Sequence, residues 1–506
     1  MPSSLKADMG NGSEKLARDA AAGVTWAFLA VAAGRLISLA SLVVLARLLD
    51  PADFGLVALA LVYMTYVETV GDLGAGAALV YWPSRSEDAV QVTFLINVLM
   101  GWAWFVLTLL LAPAVAAFFH NPSAEPIFRA LAWSFPIKAL SATHDSLCQK
   151  DLRFRARLVP EIGMAGIKAL VAIFLARAGF GAWSLVWGQL AGLSASTILF
   201  WIVVPWRPVW RWPSGVAGPI LAYGRGIVAV NVIAAVLHHA DVAIVGRTLG
   251  AAALGFYQMA YKIPEMTVTT LVWVVSRVLF PTFSRARAEG GDLREAYLGA
   301  LRYVSLLTLP AAVGLALLSE PLVLTFFGER WRPTVPILAA LATYTGLRSL
   351  GTTAGDVLKA MGRPGLLAAL GVLKASLLVP ALLYRARGGP VDVATTLAGV
   401  TALTTLLSIG VASRMLDASG SAILGALRQS LLAATTVALA LVAWRSAVAA
   451  GPGSLAGGLL VGLVAYVATL RVLCPEVWRG AIKGPRGEGW HLRPSREDRL
   501  APMNEP

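Results

Sequence analysis

Ionisable side chains recur inside stretches that are otherwise apolar, and these are the residues with chemistry to offer. Arg35, Lys138, Lys168, Lys262, Arg348 and Lys374 each lie well inside an apolar run. Glu68 and Asp72 stand four apart, so one face of a helix would carry both, and Lys262 and Glu265 stand three apart. A charged group at a bilayer centre costs at least about 2.5 kcal/mol, so each marks a polar lumen, an ion pair or a transport path. Two readings follow. In the first, the six cations neutralise an anionic cargo, Arg by bidentate hydrogen bonds to phosphate oxygens and Lys as a point charge. In the second, Arg35 pairs with Glu68 and Lys262 with Glu265, and the remaining cations bind backbone carbonyls or brace the helices. The surplus of cations favours the first reading for Arg35 and Lys262, whereas for Lys138, Lys168, Arg348 and Lys374 the second is at least as strong. Glu68, Asp72, Glu265 and Asp241 are the candidate coupling or ion-pair acids.

Other constellations carry less. His238 and His239 with Asp241 offer metal-ligand types, but adjacent histidines diverge by about 100° on a helix and no further ligand is near in sequence. A polar lining or a proton-responsive group is the stronger reading there, and no metal is expected. Gly71, Gly74 and Gly76 follow no phosphate-loop spacing and read as close helix packing. Without a nucleotide-binding loop, transport powered by the chain's own ATP hydrolysis is not expected, and no cofactor is expected either.

The elements that must position these groups are membrane helices. The chain has 506 residues, 57% hydrophobic and 14% charged, with a mean hydropathy of +0.71, against about 25% charged in soluble domains. At about 20 residues per span, apolar segments are expected near 24–46, 54–80, 90–118, 125–147, 160–178, 182–204, 219–245, 251–279, 298–327, 336–358, 365–384, 393–413, 421–443 and 454–474. No room remains for a water-exposed catalytic domain, so a membrane glycosyltransferase is disfavoured. Cys148 and Cys474 lie too far apart in sequence to suggest a disulfide framework. With the N-terminus inside, the cytoplasmic loops carry fourteen Lys and Arg against nine opposite, which places both termini in the cytoplasm.

The net charge of +14 suggests anionic headgroups or an anionic cargo rather than nucleic acid. Residues 1–23 read as a polar cytoplasmic segment with no cleavable signal, and 475–506 as a disordered basic tail. Trp206 to Pro213 sets indoles and guanidinium groups at the cytoplasmic interface. Leu147 to Leu158 mixes cations with Leu and Phe, as an interfacial segment would.

The chain also repeats. A shift of 200 pairs Arg47, Leu49, Ala52, Gly55 and Ala60 with Arg247, Leu249, Ala252, Gly255 and Ala260. A shift of 208 pairs Pro113, Phe118 and Phe119 with Pro321, Phe326 and Phe327, and one of 210 pairs Pro126, Ile127, Leu131 and Lys138 with Pro336, Ile337, Leu341 and Arg348. Lys168 and Lys374, and Asp145 and Asp356, fall at similar places in the two halves. The expected architecture is therefore an all-α polytopic membrane protein of about fourteen transmembrane helices, in two like-oriented six-helix lobes. The N-lobe spans 24–205, an interfacial linker 206–218, the C-lobe 219–413, and two further helices 414–474. Lobes of this kind suit alternating access, with the cargo near the midplane between them.

The segments LARLLDPADFGLVALALVY (Leu45 to Tyr63), DLGAGAALV (Asp72 to Val80), LCQKDLRFR (Leu147 to Arg155), DVAIVGRTLGAAALGFYQMAYKI (Asp241 to Ile263) and VSRVLFPTFSR (Val275 to Arg285) resemble the polysaccharide-transporter branch of the multidrug/oligosaccharidyl-lipid/polysaccharide superfamily. The resemblance covers roughly 15–420. It implies a V-shaped bundle in a bacterial cytoplasmic (inner) membrane that flips undecaprenyl-diphosphate-linked oligosaccharide repeat units to the outer leaflet for surface polysaccharide. By analogy with relatives bearing lumenal cations on helices one, two and eight, it favours Arg35 and Lys262; helix two departs from that pattern by offering acids. Candidate partners are the lipid-linked oligosaccharide, membrane lipids, and polysaccharide polymerase and export machinery. Two other functions stay open: a cation-coupled multidrug exporter of the same superfamily, which should present acids and aromatics, and a non-transporting scaffold for synthesis enzymes.

Overall fold

A computed structural model describes residues 34–448, except 72, 82–85, 152, 210, 271, 273–282 and 284–290, together with 451–473. The expected segment 1–23, Asp72, Arg85, Cys474, most of VSRVLFPTFSR and the tail 475–506 lie outside the described residues.

Regular structure among the described residues is helical throughout, as hydrocarbon demands, since a helix satisfies its backbone polar groups within one segment. The helices are α1 (34–48), α2 (Pro51–Gly71), α3 (Ala75–Tyr81), α4 (Glu87–Phe118), α5 (Glu125–Leu131), α6 (Ser134–Lys150), α7 (Phe154–Arg177) and α8 (Ala182–Val203). The stretch Ser214–Pro264 is broken at Gly250 (φ 81°) and is treated as α9 (214–249) and α10 (251–264). A π turn, Glu265–Thr269, follows. Then come α11 (Leu293–Leu317), α12 (Ser319–Phe326), α13 (Thr334–Ala360), α14 (Pro364–Arg385), α15 (Pro390–Met415), α16 (Gly420–Ala447) and α17 (Pro452–Leu473). Nine helices among the described residues are long and apolar enough to cross a membrane. The chain is a multi-pass membrane protein.

Among the described residues helix occurs in every expected span, but several spans are jointed, and nine helices, not fourteen, meet the length and apolarity of a span there. Span two is divided where Leu73 and Gly74 take φ of 50° and 74°, so Gly74 lies in a turn, not in a helix. There the backbone of Gly74 meets that of Gly224, leaving no room for a Cβ. Span four is divided into α5 and α6, and span nine into α11 and α12 at Leu318. Hydropathy is continuous through these joints because each is made by backbone dihedrals, to which a hydropathy pattern is blind.

Local sequence sets the helix starts. Ser86 caps α4, with Glu87 and Asp88 in its first turn, and Asp292 caps α11 by accepting from the amides of Arg294 (2.8 Å) and Glu295 (3.1 Å). Asp53 serves two helices: it accepts from the Asp50 amide at the start of α2 and from the Ala182 amide at the start of α8 (3.0 Å). That contact ties α2 to a helix 129 residues away in sequence.

The described residues group into two compact units, one up to Gly255 and one from Phe256. In the first, α4 packs on α6, α6 on α8 and α8 on α7. In the second, α11 packs on α13, α13 on α15 and α15 on α14. The order is the same, as the sequence repeat requires. Helices α16 and α17 stand outside it, with α16 packed along α11 and α17 along α16.

Polar groups at these interfaces find partners between helices, as is usual where lipid supplies no hydrogen bonds. The amide of Asn97 donates to the Thr143 hydroxyl (3.0 Å), and the Thr197 hydroxyl donates to the Ile137 carbonyl (2.9 Å). Trp206 packs against the cluster that holds Leu147 and Phe200 and stands edge-on to Phe94, while the Val209 amide donates to Gln91 (2.8 Å) and Arg211 pairs with Asp88. The segment after α8 thus lies against the first unit by both ring packing and hydrogen bonds.

Within the first unit, a Cβ at Gly55 would fall 1.7 Å from the Ala251 carbonyl oxygen, and one at Gly255 would fall 1.9 Å from that of Pro51. The shift of 200 that aligns Gly55 with Gly255 also aligns 51 with 251. The contact is therefore reciprocal, each glycine receiving the other segment's backbone, as at a two-fold axis. Only glycine permits it.

Candidate anion-binding site

In the first unit, Glu68 ends its helix facing α6. Lys138 of α6 donates to Glu68 at 2.7 Å, with about half of the lysine side chain exposed (51%). That carboxylate thus meets a lysine 70 residues away in sequence. Arg35 is an exposed residue of α1. Lys168 of α7 donates to the Gln189 side-chain oxygen of α8 at 2.6 Å. Asp241 is buried in α9, one turn past His238, and His239 stands edge-on to Tyr66 with ring centroids 6.3 Å apart. Asp72 falls outside the described residues.

In the second unit, Lys262 and Glu265 pair at 3.2 Å, as their spacing suggested. The pair sits where α10 gives way to the π turn, a distortion that re-aims side chains and is frequent at functional sites. That turn packs on α13. Tyr344 and Arg348 are four apart on α13 and share a face. The Arg348 guanidinium donates to the Tyr344 hydroxyl at 3.4 Å and lies 6.0 Å from its ring centroid. Lys374 of α14 brings its ammonium within 5.9 Å of the same ring. Tyr261 of α10 stands 6.3 Å from Tyr344, and Tyr257, one turn earlier, 6.4 Å from Tyr261.

Of the sequence candidates, the structure thus brings Lys138 to Glu68, Lys262 to Glu265, and Arg348 to Lys374 around one phenol. Asp145 and Asp356, which matched in the two halves, are both taken up near helix ends. Asp145 binds Arg157 at 2.7 Å and Asp356 binds Lys359 at 3.3 Å. Sequence reasoning passed over Tyr344, Tyr261 and Gln189. The four-residue spacing of Tyr344 and Arg348 was an available signal, whereas Gln189 carried none, because its contact depends on how α7 and α8 face each other.

A family model described as polysaccharide biosynthesis protein matches residues 44–336. The lipopolysaccharide biosynthesis protein WzxC of Escherichia coli is 27% identical over 367 residues, covering 71% of this chain and 74% of that one. The succinoglycan biosynthesis transport protein ExoT of Rhizobium meliloti is 25% identical over 350 residues, covering 68% and 70%. Among solved structures, the inward closed conformation of the lipid II flippase MurJ superposes with a TM-score of 0.73 at 14% identity, covering 90% of this chain and 100% of that one. An inward-facing multidrug resistance MATE transporter superposes at 0.65 and 13% identity, covering 78% and 98%. At such identities the likeness is one of fold.

Proposed function

Because the chain belongs to the polysaccharide biosynthesis protein family, we propose that it translocates a polyprenyl-diphosphate-linked oligosaccharide from the inner to the outer leaflet of a bacterial cytoplasmic membrane. It acts as a transporter, by alternating access of two like-built lobes (24–205 and 219–413), with both termini cytoplasmic. The product feeds surface polysaccharide synthesis, where a polymerase and export machinery are the natural partners. The physical problem is desolvation: a hydrated sugar-diphosphate cannot cross hydrocarbon, since each polar group stripped of hydrogen bonds costs several kcal/mol. A polar path open to lipid at its side removes that barrier while the polyprenyl tail stays in the bilayer.

The observation that carries this reading is the set of cations at matching places in the repeat, Lys138 with Arg348 and Lys168 with Lys374. An exporter of organic cations on the same fold would need acids there. The membrane potential supplies direction, since an inside-negative potential favours outward movement of anions by about 2.3 kcal/mol per charge per 100 mV.

The test is leaflet translocation of a short oligosaccharide on undecaprenyl diphosphate in proteoliposomes, with an inside-negative potential imposed. Flipping by wild type that falls in Arg35→Ala and Lys262→Ala, with both variants folded, is the expected result. Export of an organic cation without flipping of any lipid-linked sugar would replace this reading with the multidrug one.

A further inference from the structure

The two units treat their matched cations differently. Lys138 is held by a carboxylate and forms a neutral pair. Arg348, its counterpart in the repeat, is held by a phenol, through the hydroxyl and the ring face of Tyr344. A phenol at neutral pH positions a guanidinium without cancelling its charge, by a hydrogen bond and by the ring quadrupole. Lys374 approaches the same ring, so two cations converge on one aromatic support. Glu265, whose charge reaches Arg348, is itself paired with Lys262 at 3.2 Å.

The residues at matching places in the repeat differ accordingly. The residue 200 positions after Glu68 is Val268, and the residue 210 positions before Tyr344 is Ser134. The second unit thus has an apolar side chain, only 1% exposed, in the place of the neutralising acid, and a tyrosine in the place of a serine. Tyr344 is itself 3% exposed. Its packing fixes the ring before any ligand arrives, so little side-chain entropy is lost in organising the cations.

We propose that Arg348 and Lys374, set by Tyr344, form an anion subsite in the second unit that takes the diphosphate of a polyprenyl-diphosphate carrier, and that Tyr344 is its positioning residue. This rests on the reading of the cargo as a lipid-linked sugar. Arg348 supplies two donors in a plane suited to phosphate oxygens, Lys374 adds a point charge, and the tyrosine acts through both without touching the ligand.

Binding of undecaprenyl diphosphate to the purified full chain in detergent tests the proposal, with uncharged undecaprenol and inorganic diphosphate as parallel probes. Tyr344→Phe, which keeps the ring, should bind within about 3-fold of wild type. Tyr344→Leu should weaken undecaprenyl diphosphate about 10-fold. Tyr344→Glu, which places a carboxylate beside both cations, should weaken it about 100-fold while undecaprenol binding is unchanged. The control variant Arg129→Gln, which breaks an exposed pair with Glu125 on α5, should stay within about 3-fold. Competition by inorganic diphosphate marks the headgroup as what is recognised; its failure to compete, with undecaprenol binding as tightly as the diphosphate, would overturn the subsite. So would wild-type affinity in a folded Tyr344→Glu, or a loss in Arg129→Gln equal to that in Arg348→Gln. Thermal unfolding and the Phe variant separate a folding defect from a lost subsite. Wild type that binds the diphosphate but flips no lipid-linked sugar defeats the transport reading and leaves the subsite standing.

Discussion

Lys138 on α6 and Arg348 on α13 stand 210 residues apart in two units that pack their helices in the same order, yet one cation is neutralised and the other is propped on a ring. Lys168 and Lys374 also differ in partner, the first donating to the Gln189 amide oxygen and the second lying near the Tyr344 ring. The repeat therefore preserves the scaffold and the placing of the cations but not their electrostatic state. Packing order is set by many apolar contacts and survives single replacements; the state of a cation is set by one partner and changes with it.

The comparison breaks most easily at Arg348. Arg348→Gln should slow leaflet translocation in proteoliposomes by about 30-fold or more, since a charged hydrogen-bonding group lost from an anion site costs roughly 2 kcal/mol or more. Equal slowing by Glu68→Gln/Lys138→Gln would make the two units equivalent after all. Next in size is a test of the frame that relates the repeats. Gly55→Leu must push apart two backbones whose Cβ-to-oxygen distance would be 1.7 Å, and the loss should reach about 3 kcal/mol, read as a lowered unfolding midpoint in detergent. The same change at Gly425 on α16, where a Cβ meets nothing within 4 Å, should leave the midpoint within a degree or two, as surface changes do.

A charge swap sharpens the picture further. Glu68→Lys with Lys138→Glu keeps the pair and its neutrality, so translocation should remain within about 3-fold of wild type. A tenfold fall would mean that the position of the lysine matters, not only its pairing.

The smallest effect lies in the loop after α12. There Arg332 bonds both Glu329 and Glu320, and Glu320 of α12 also binds Arg445 of α16 (3.0 Å), which ties α16 to α12. The hydrogen bond from Arg332 keeps the Glu329 carboxyl below its ordinary range. A depressed folded value gives stability that is present above the unfolded carboxyl value of about 4.3 and is lost as pH falls through the lower folded one. Both side chains are exposed, so Glu329→Gln should move the unfolding midpoint by a degree at most at pH 7, and by less as pH falls.

Part of this was legible without coordinates. The helices stand where apolar runs of span length stand, and the Lys262–Glu265 pair follows from three-residue spacing on a helix. The reciprocal glycines were visible as aligned letters, Gly55 and Gly255, though not as a crossing. The joint at Leu73–Gly74 was not legible, because a positive φ leaves hydropathy unaltered. Nor was the Lys138–Glu68 bond, 70 residues apart in sequence and dependent on which faces of α2 and α6 meet.

What the sequence determined by itself is whatever depends on local composition and period: a membrane-spanning all-helical chain, its repeat, and the positions of its cations along each helix. Tertiary structure alone decided which partner those cations meet, a carboxylate for Lys138 and a phenol for Arg348. Coulomb and hydrogen-bond energies fall off within a few ångströms, so the electrostatic state of a side chain belongs to its neighbours in space, and those are chosen only when the helices pack.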